Sequence, residues 1–329
     1  VGITSNRAIA FTVLSLLFAL GGIATAGAAV PVLGYQSEES AASRIAADAP
    51  ALDLVGVDGV NLTGPAGSVS RPTAAARRQL AAAHAAGRPA ALLVGNFAPR
   101  IGDFSEPLAW RTLRSPSATE DSARRLTADV RAEGWDGISV DLEALRGRDR
   151  GGLTRLLGDL RADLGAAASL TVAVENVTAV VDYPARGYDL AAAARSVDQI
   201  VLMAYDQHGP WEDAAGPIGA DGWVKAGLNA VLAQVPASQV DLGVAGYGYV
   251  WGPHGNRQVS DAAARALASR EGGRPRWVGS VGEWTARLAG GSVVWWSDGR
   301  TLDRRERLAA SLGLHGVAVW SLGLADPLR

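Results

Sequence analysis

The stretch DGISVDLEAL, Asp136 to Leu145, decides how the rest of this chain is read. At the two-residue period of a β-strand, Ile138, Val140 and Leu142 fall on one face, and Ser139, Asp141 and Glu143 fall on the other. One strand therefore turns a hydroxyl and two carboxylates to the same side. A solvated edge strand would leave them to water, and a structural ion pair would set them against an arginine. A divalent cation is a third reading, although the acidic face offers no histidine and no third carboxylate.

Outward from that strand, short apolar runs alternate with helical stretches rich in Ala, Arg and Leu. Upstream lie PVLGYQ (Pro31 to Gln36), LDLVGVDGVNL (Leu52 to Leu62) and PAALLVGNFA (Pro89 to Ala98). Downstream lie SLTVAVENV (Ser169 to Val177), DQIVLMAYDQ (Asp198 to Gln207), VDLGVAGYGYV (Val240 to Val250) and HGVAVWSLG (His315 to Gly323). Helical patterns occupy 72–86, 119–133, 153–164, 223–234 and 303–311. Strands and helices in this alternation predict an α/β fold, a closed (β/α)8 TIM barrel, because the crossovers place helices outside a parallel sheet buried on both faces. The connection over 251–298 is too long for a simple crossover and predicts a small α+β insertion between strands 7 and 8. An open doubly wound sheet is the alternative, but no Gly-rich phosphate loop follows the first strand to support it.

The chain has 329 residues, 48% of them hydrophobic and 19% charged, enough to bury a large core. A formal net charge of -2 gives no electrostatic reason to expect nucleic acid or an anionic membrane surface as partner. Lys225 is the only lysine, so the basic residues are almost all arginine, a bias that fits GC-rich coding better than phosphate recognition. Without cysteine there is neither disulfide nor thiolate chemistry. Residues 8–30 form an uncharged, largely apolar run behind Arg7, with small residues at Ala24, Ala26 and Ala28. Residues 1–30 are read as a cleaved export signal, with a retained membrane anchor as the alternative. The protein is accordingly expected to be secreted or associated with the cell envelope, with 31–329 as its folded domain.

In such a barrel the interior is normally apolar, and active sites gather at the carboxyl ends of the strands. Asp141 and Glu143, neighbours on one face, stand about 6–7 Å apart along the backbone and can share a hydrogen-bond network at the barrel mouth. Desolvation and the second negative charge would raise one carboxyl pKa and keep an acid protonated near neutrality. That is what a general acid requires.

The spacing of Asp136, Ser139, Asp141 and Glu143 resembles the D-x-x-D-x-D-x-E signature of glycoside hydrolase family 18, the chitinase-like barrels, with Ser139 in place of the middle acid. Other strands carry the same resemblance. LMAYDQHGPW (Leu202 to Trp211) is similar to the sixth-strand M-x-Y-D motif of the family, DLGVAGYGYVW to its seventh strand, and GVAVWSLG to the eighth, with its tryptophan. The run from Val293 to Gly323 is especially similar to the branch containing spore-cortex and other peptidoglycan-directed hydrolases. LysM repeats, frequent in that branch, are not found in this sequence.

The resemblance implies roles residue by residue. Glu143 would protonate the leaving glycosidic oxygen and then activate water. The substrate's own 2-acetamido group would act as nucleophile, an exception to the usual two-carboxylate scheme. Asp141 would orient the acetamido N–H and stabilise the positive charge of the intermediate. Tyr205 would hydrogen-bond the acetamido oxygen, and Asp206 would shape the subsite of the cleaved sugar. Trp320 would floor that subsite, with Met203 beside it. Ser139, able to donate to Asp141, and Tyr247 complete the substrate-binding set. Asp136 is read as structural, fixing the strand entry.

Glu175 is read either as a cleft residue or as half of a salt bridge, and Tyr247 and Tyr249 each as cleft lining or core. His208 is read as loop surface or as a contact to a sugar hydroxyl. His84, His254 and His315 show no metal-ligand spacing, so neither metal nor cofactor is assigned. The expected activity is hydrolysis of β-linked N-acetylglucosamine glycans by a monomer, with peptidoglycan placed ahead of chitin. A catalytically idle, sugar-binding barrel is the alternative, since Ser139 cannot carry charge or share a proton as an acid would. Retention of Glu143, Asp141 and Tyr205 favours the enzyme.

Overall fold

The computed structural model describes residues 30–64 and 67–329. The reading of 1–30 as signal or anchor therefore falls, Val30 apart, outside the described residues. Among these, no helix is long and apolar enough to cross a membrane.

Eight parallel strands close into a barrel in sequential order: β1 (Val32–Gln36), β2 (Leu54–Asn61), β3 (Ala90–Gly95), β4 (Gly137–Asp141), β5 (Ser169–Glu175), β6 (Gln199–Met203), β7 (Val240–Ala245) and β8 (Gly316–Trp320). The TIM-barrel reading of the sequence holds. Outward residues such as Ile138, Val140, Leu170, Val172, Ile200 and Leu202 pack against the surrounding helices in the principal core. Helices begin and end where local chemistry dictates. The helix Pro116–Glu133 starts three residues before its apolar pattern does, with proline in its first turn, and stops at Gly134, whose φ of 80° suits glycine. The helix Gly299–Leu312 starts at Asp298, whose carboxylate accepts from the Arg300 N–H at 3.0 Å.

Inside the barrel the pairings set the layers. Asp58 is level with Leu93, Leu93 with Ser139, and Ser139 with Thr171. Farther round, Thr171 pairs with Gln199, Val201 with Asp241, and Asp241 with Gly316. Strand tilt in an eight-stranded barrel of this kind slips the level by about one residue per strand, so each layer takes its residues from alternate strands. The uppermost layer from the even strands is therefore Asp58, Asp141, Met203 and Trp320. Beneath it come Gly56, Ser139, Val201 and Ala318.

Between β7 and β8 stands a five-stranded antiparallel sheet, ordered 257–259, 248–251, 293–296, 283–287, 276–278. The helix Asp261–Arg270 covers one of its faces, packing Ala264, Leu267 and Ala268 on Val250, Val294 and Trp296. On the other face Tyr249 and Trp251 join Tyr247, Ile218 and Ala245. A strand boundary also differs from the sequence reading. The run 240–250, expected as a single strand, is two: Val240–Ala245 pairs within the barrel, and Gly248–Trp251 pairs within the inserted sheet. The inserted sheet thus begins at Gly248, three residues before the expected start of the insertion.

Candidate active site

The carboxyl ends of β4, β6 and β8 bring the sequence-predicted acids and aromatics together. Asp141 closes β4 and is only 7% exposed. One of its carboxylate oxygens, Oδ1, is buried with no hydrogen-bond partner, an arrangement that is costly for an anion. Glu143 follows on the loop, half-buried. Its backbone is held by Asn96, which accepts from the Glu143 N–H and donates to the Glu143 carbonyl, both at 2.9 Å. Tyr188 adds a longer hydrogen bond, 3.4 Å, to the Leu142 carbonyl between the two acids.

Opposite, Tyr205 and Asp206 follow β6. Asp206 takes a left-handed conformation, φ 61°, which turns its side chain to the Tyr247 and Tyr249 hydroxyls. Both donate to its Oδ1, at 2.5 and 2.8 Å. The Tyr205 ring meets that of Tyr247 edge-on at 6.4 Å, and the Trp320 ring lies 5.6 Å from Tyr35. Met203 is buried in the same interior cluster, against which Tyr205 and Trp320 pack.

Burial dominates the electrostatics. Desolvation, with the charge of Asp58 added, pushes the Asp141 carboxyl up to about 7. Desolvation also holds Glu143 well above the usual glutamate range, reinforced by Asp141, Glu175, Asp206 and Asp103. Asp206 is raised by desolvation against the lowering effect of its two tyrosine hydrogen bonds. Tyr205, desolvated and facing Asp141 and Glu143, is driven well above the ordinary tyrosine range and remains a donor. The mouth therefore holds carboxyl groups that burial biases toward the protonated form, beside a neutral phenol.

Two residues expected to touch substrate do not reach the cleft. Ser139 is 1% exposed, one layer beneath Asp141, and its Oγ accepts from Thr171 and shares a hydrogen bond with the Tyr35 hydroxyl, both at 2.9 Å. Two positions back along an inward face lies about 6–7 Å deeper into the barrel, out of reach of a ligand at the mouth. Tyr247 is 0% exposed, and what it offers the site is its hydrogen bond to Asp206. Asp136 lies at the opposite end of β4, where its Oδ2 accepts from Ala90 N–H at 2.8 Å and pairs with His84 at 2.8 Å. Glu175 ends β5, where it is paired with Arg186 at 3.0 Å and adds its charge to the environment of Glu143. Tyr249 is buried, and His208 pairs with Glu212 at 2.8 Å.

Sequence reasoning missed Asn96, Asp58, Tyr35 and Thr171. An acid inside the apolar run of β2 was the available signal for Asp58. Asn96 gave none, because its role depends on the fold bringing the end of β3 beside the end of β4. Among the described residues, no group of three or more Asp, Glu or His side chains could hold a metal ion.

The sequence model for the family described as glycosyl hydrolases family 18 matches residues 101–325, more than half of the chain. An uncharacterized glycosylase, YvbX, of Bacillus subtilis is 23% identical over 255 residues, covering 70% of this chain and 70% of the relative. The cortical fragment-lytic enzyme of the same organism is 25% identical over 241 residues, 68% of this chain but only 55% of that protein's length. Among solved structures, a chitinase from Chromobacterium violaceum superposes with a TM-score of 0.81 at 27% identity, covering 91% of this chain and 96% of the other.

Proposed function

This chain belongs to glycoside hydrolase family 18, a family of glycosidases, and from that premise we propose that it hydrolyses β-linked N-acetylglucosamine glycans with retention of configuration. The observation that carries the reading is the facing pair of elements at the barrel mouth. Glu143 and Asp141 at the end of β4 share one electrostatic environment with Tyr205 and Asp206 beyond β6.

Glu143, kept protonated by burial, gives its proton to the glycosidic oxygen as the C1–O bond breaks. The acetamido carbonyl oxygen of the same sugar bonds to C1, and Tyr205 donates to that oxygen to orient it. The unpartnered Oδ1 of Asp141 accepts the acetamido N–H, and its negative charge stabilises the oxazolinium positive charge. Water, deprotonated by Glu143, then opens the ring at C1 and restores both groups. Asp206 fixes a hydroxyl of the same sugar, and Trp320 lies beneath it.

Peptidoglycan is the proposed polymer ahead of chitin, a preference supported by the similarity to a cortical fragment-lytic enzyme. Action outside the cell as a monomer, either secreted after cleavage of the amino-terminal run or held at the envelope by it, belongs to the same proposal. The test is to incubate the full chain and its Glu143→Gln variant with N-acetylglucosamine oligomers and with peptidoglycan, and to identify products by mass spectrometry. Fragments ending in N-acetylglucosamine from the unmodified chain only would support it. Glycans retained by both proteins and cut by neither would make this a sugar-binding barrel.

A further inference from the structure

We propose that Asp58 is a positioning carboxylate acting through Asp141, standing beside it in the uppermost barrel layer and replacing the acid that position 139 lacks. The proposal rests on the glycosidase reading above for its catalytic consequence, and on the barrel geometry for the pairing itself.

The pairings place Asp58 on the inner face of β2. It is level with Leu93 and, through it, with Ser139, and Leu93 lies in the interior cluster. Correcting for tilt sets Asp58 in one layer with Asp141, on the next strand but one. The strand between them, β3, ends inward at Gly95, which is paired with both Asn61 and Asp141. No side chain from β3 therefore stands between the two carboxylates at that height. A Cβ at position 95 would already be 3.0 Å from Asn61 Oδ1. The Ser139 hydroxyl is committed below to Tyr35 and Thr171, which leaves Asp141 without a partner from its own strand.

The groups that bear on Asp141 are Asp58 from β2, Tyr35 from β1, Glu143 beyond β4, Tyr188 beyond β5 and Tyr205 beyond β6. Those that bear on Asp58 are Glu38 and Glu39, from the loop after β1. Tyrosines stay neutral here, so Asp58 is the charge outside the acidic strand that acts on Asp141. Burial, together with those two glutamates, pushes Asp58 up to about 6, just under Asp141 at about 7. With the substrate absent, the charge of Asp58 favours the protonated form of Asp141. Positive charge forming on the acetamido group acts in the opposite sense and favours the Asp141 anion, so Asp58 sets the level from which Asp141 ionises without a direct hydrogen bond to it.

The experiment uses the full chain, Asp58→Asn, Ser139→Asp and the double variant. Carboxyl carbon resonances of labelled aspartate are followed against pH, with Asp141→Asn supplying the assignment, and rates on N-acetylglucosamine oligomers are measured alongside. Asp58→Asn is expected to lower the Asp141 titration midpoint and to cut kcat at least about tenfold with KM little changed. Restoring a carboxylate by Ser139→Asp in the Asp58→Asn background should return the midpoint and recover most of kcat, which a merely structural Asp58 would not permit. An Asp141 midpoint unmoved by Asp58→Asn overturns the pairing. A moved midpoint with unchanged kcat and pH profile overturns its catalytic role. If the unmodified chain turns over no glycan, the glycosidase reading fails, while the midpoint still decides the pairing.

Discussion

Asn96 grips Glu143 by the backbone, accepting from its N–H through Oδ1 and donating to its carbonyl through Nδ2, each at 2.9 Å. Asn96 Nδ2 also reaches the Ser105 carbonyl at 3.1 Å, tying the clamp to the start of the next helix. A general acid displaced by about 1 Å can lose about 10²-fold in rate. Asn96→Ala is therefore expected to lower kcat on N-acetylglucosamine oligomers by that order. Asn96→Asp, which keeps the acceptor and loses the donor, should fall between the two. Thermal melting and kinetics on both variants check this, and a melting point lowered with kcat intact would refute the positioning role.

The hydrogen bonds from Tyr247 and Tyr249 favour the anion of Asp206 and oppose the burial that raises its carboxyl. Hydrogen bonds to a charged group are worth about 1.5–3 kcal/mol. Tyr247→Phe removes the shorter of the two and should raise the Asp206 pKa further. The expected result is an acid limb of kcat/KM displaced upward by about one pH unit, at about 1.4 kcal/mol per unit. Tyr249→Phe should give a smaller displacement. Identical pH profiles for all three proteins would show that Asp206 does not work as an anion.

The barrel was legible because β-strand and helix periods alternate cleanly along the chain, and the acidic strand because its two faces differ so sharply. What escaped was whatever depends on register. Period two places Ser139 and Asp141 on one face but cannot say that one faces a ligand while the other lies a layer below, bonded to Tyr35 and Thr171. Tyr247 and Tyr249 likewise read as cleft or core, and only the break at Gly246 shows that their hydroxyls serve Asp206. Asp58 and Asn96 come from other strands, and their relation to the acidic strand exists only once the barrel closes.

Trp211 is 65% exposed, on the loop after β6, with its ring 6.1 Å from that of Tyr249. An exposed aromatic beside the mouth offers a sugar an apolar face without contributing to the core. Trp211→Ala is expected to raise KM for long oligomers about tenfold while leaving kcat and the melting temperature nearly unchanged, the signature of lost uniform binding. Equal effects on a disaccharide analogue and on a hexamer would place the tryptophan outside any extended subsite.

Stability should also carry the mark of the buried acids. Asp58 and Asp141 titrate near 6 and 7 in the fold, and Glu143 well above the usual range, against about 4 in an unfolded chain. Below about pH 4 all three are protonated in both states and contribute no difference. Between that pH and their folded values the native state holds protons that the unfolded chain has released, so stability falls as pH rises. Asp221 and Asp326, held low by their arginines, act in the opposite sense and lose stability on acidification. Comparing one variant at two pH values isolates the buried acids from that background. Asp141→Asn is expected to melt higher than the unmodified chain at pH 8, and little differently at pH 4. In a protein of roughly this size, about 1 kcal/mol moves the midpoint by roughly 2–4 °C. A melting difference equal at both pH values would mean that the carboxyl pays no desolvation penalty, and would remove the physical basis for holding it protonated at the barrel mouth.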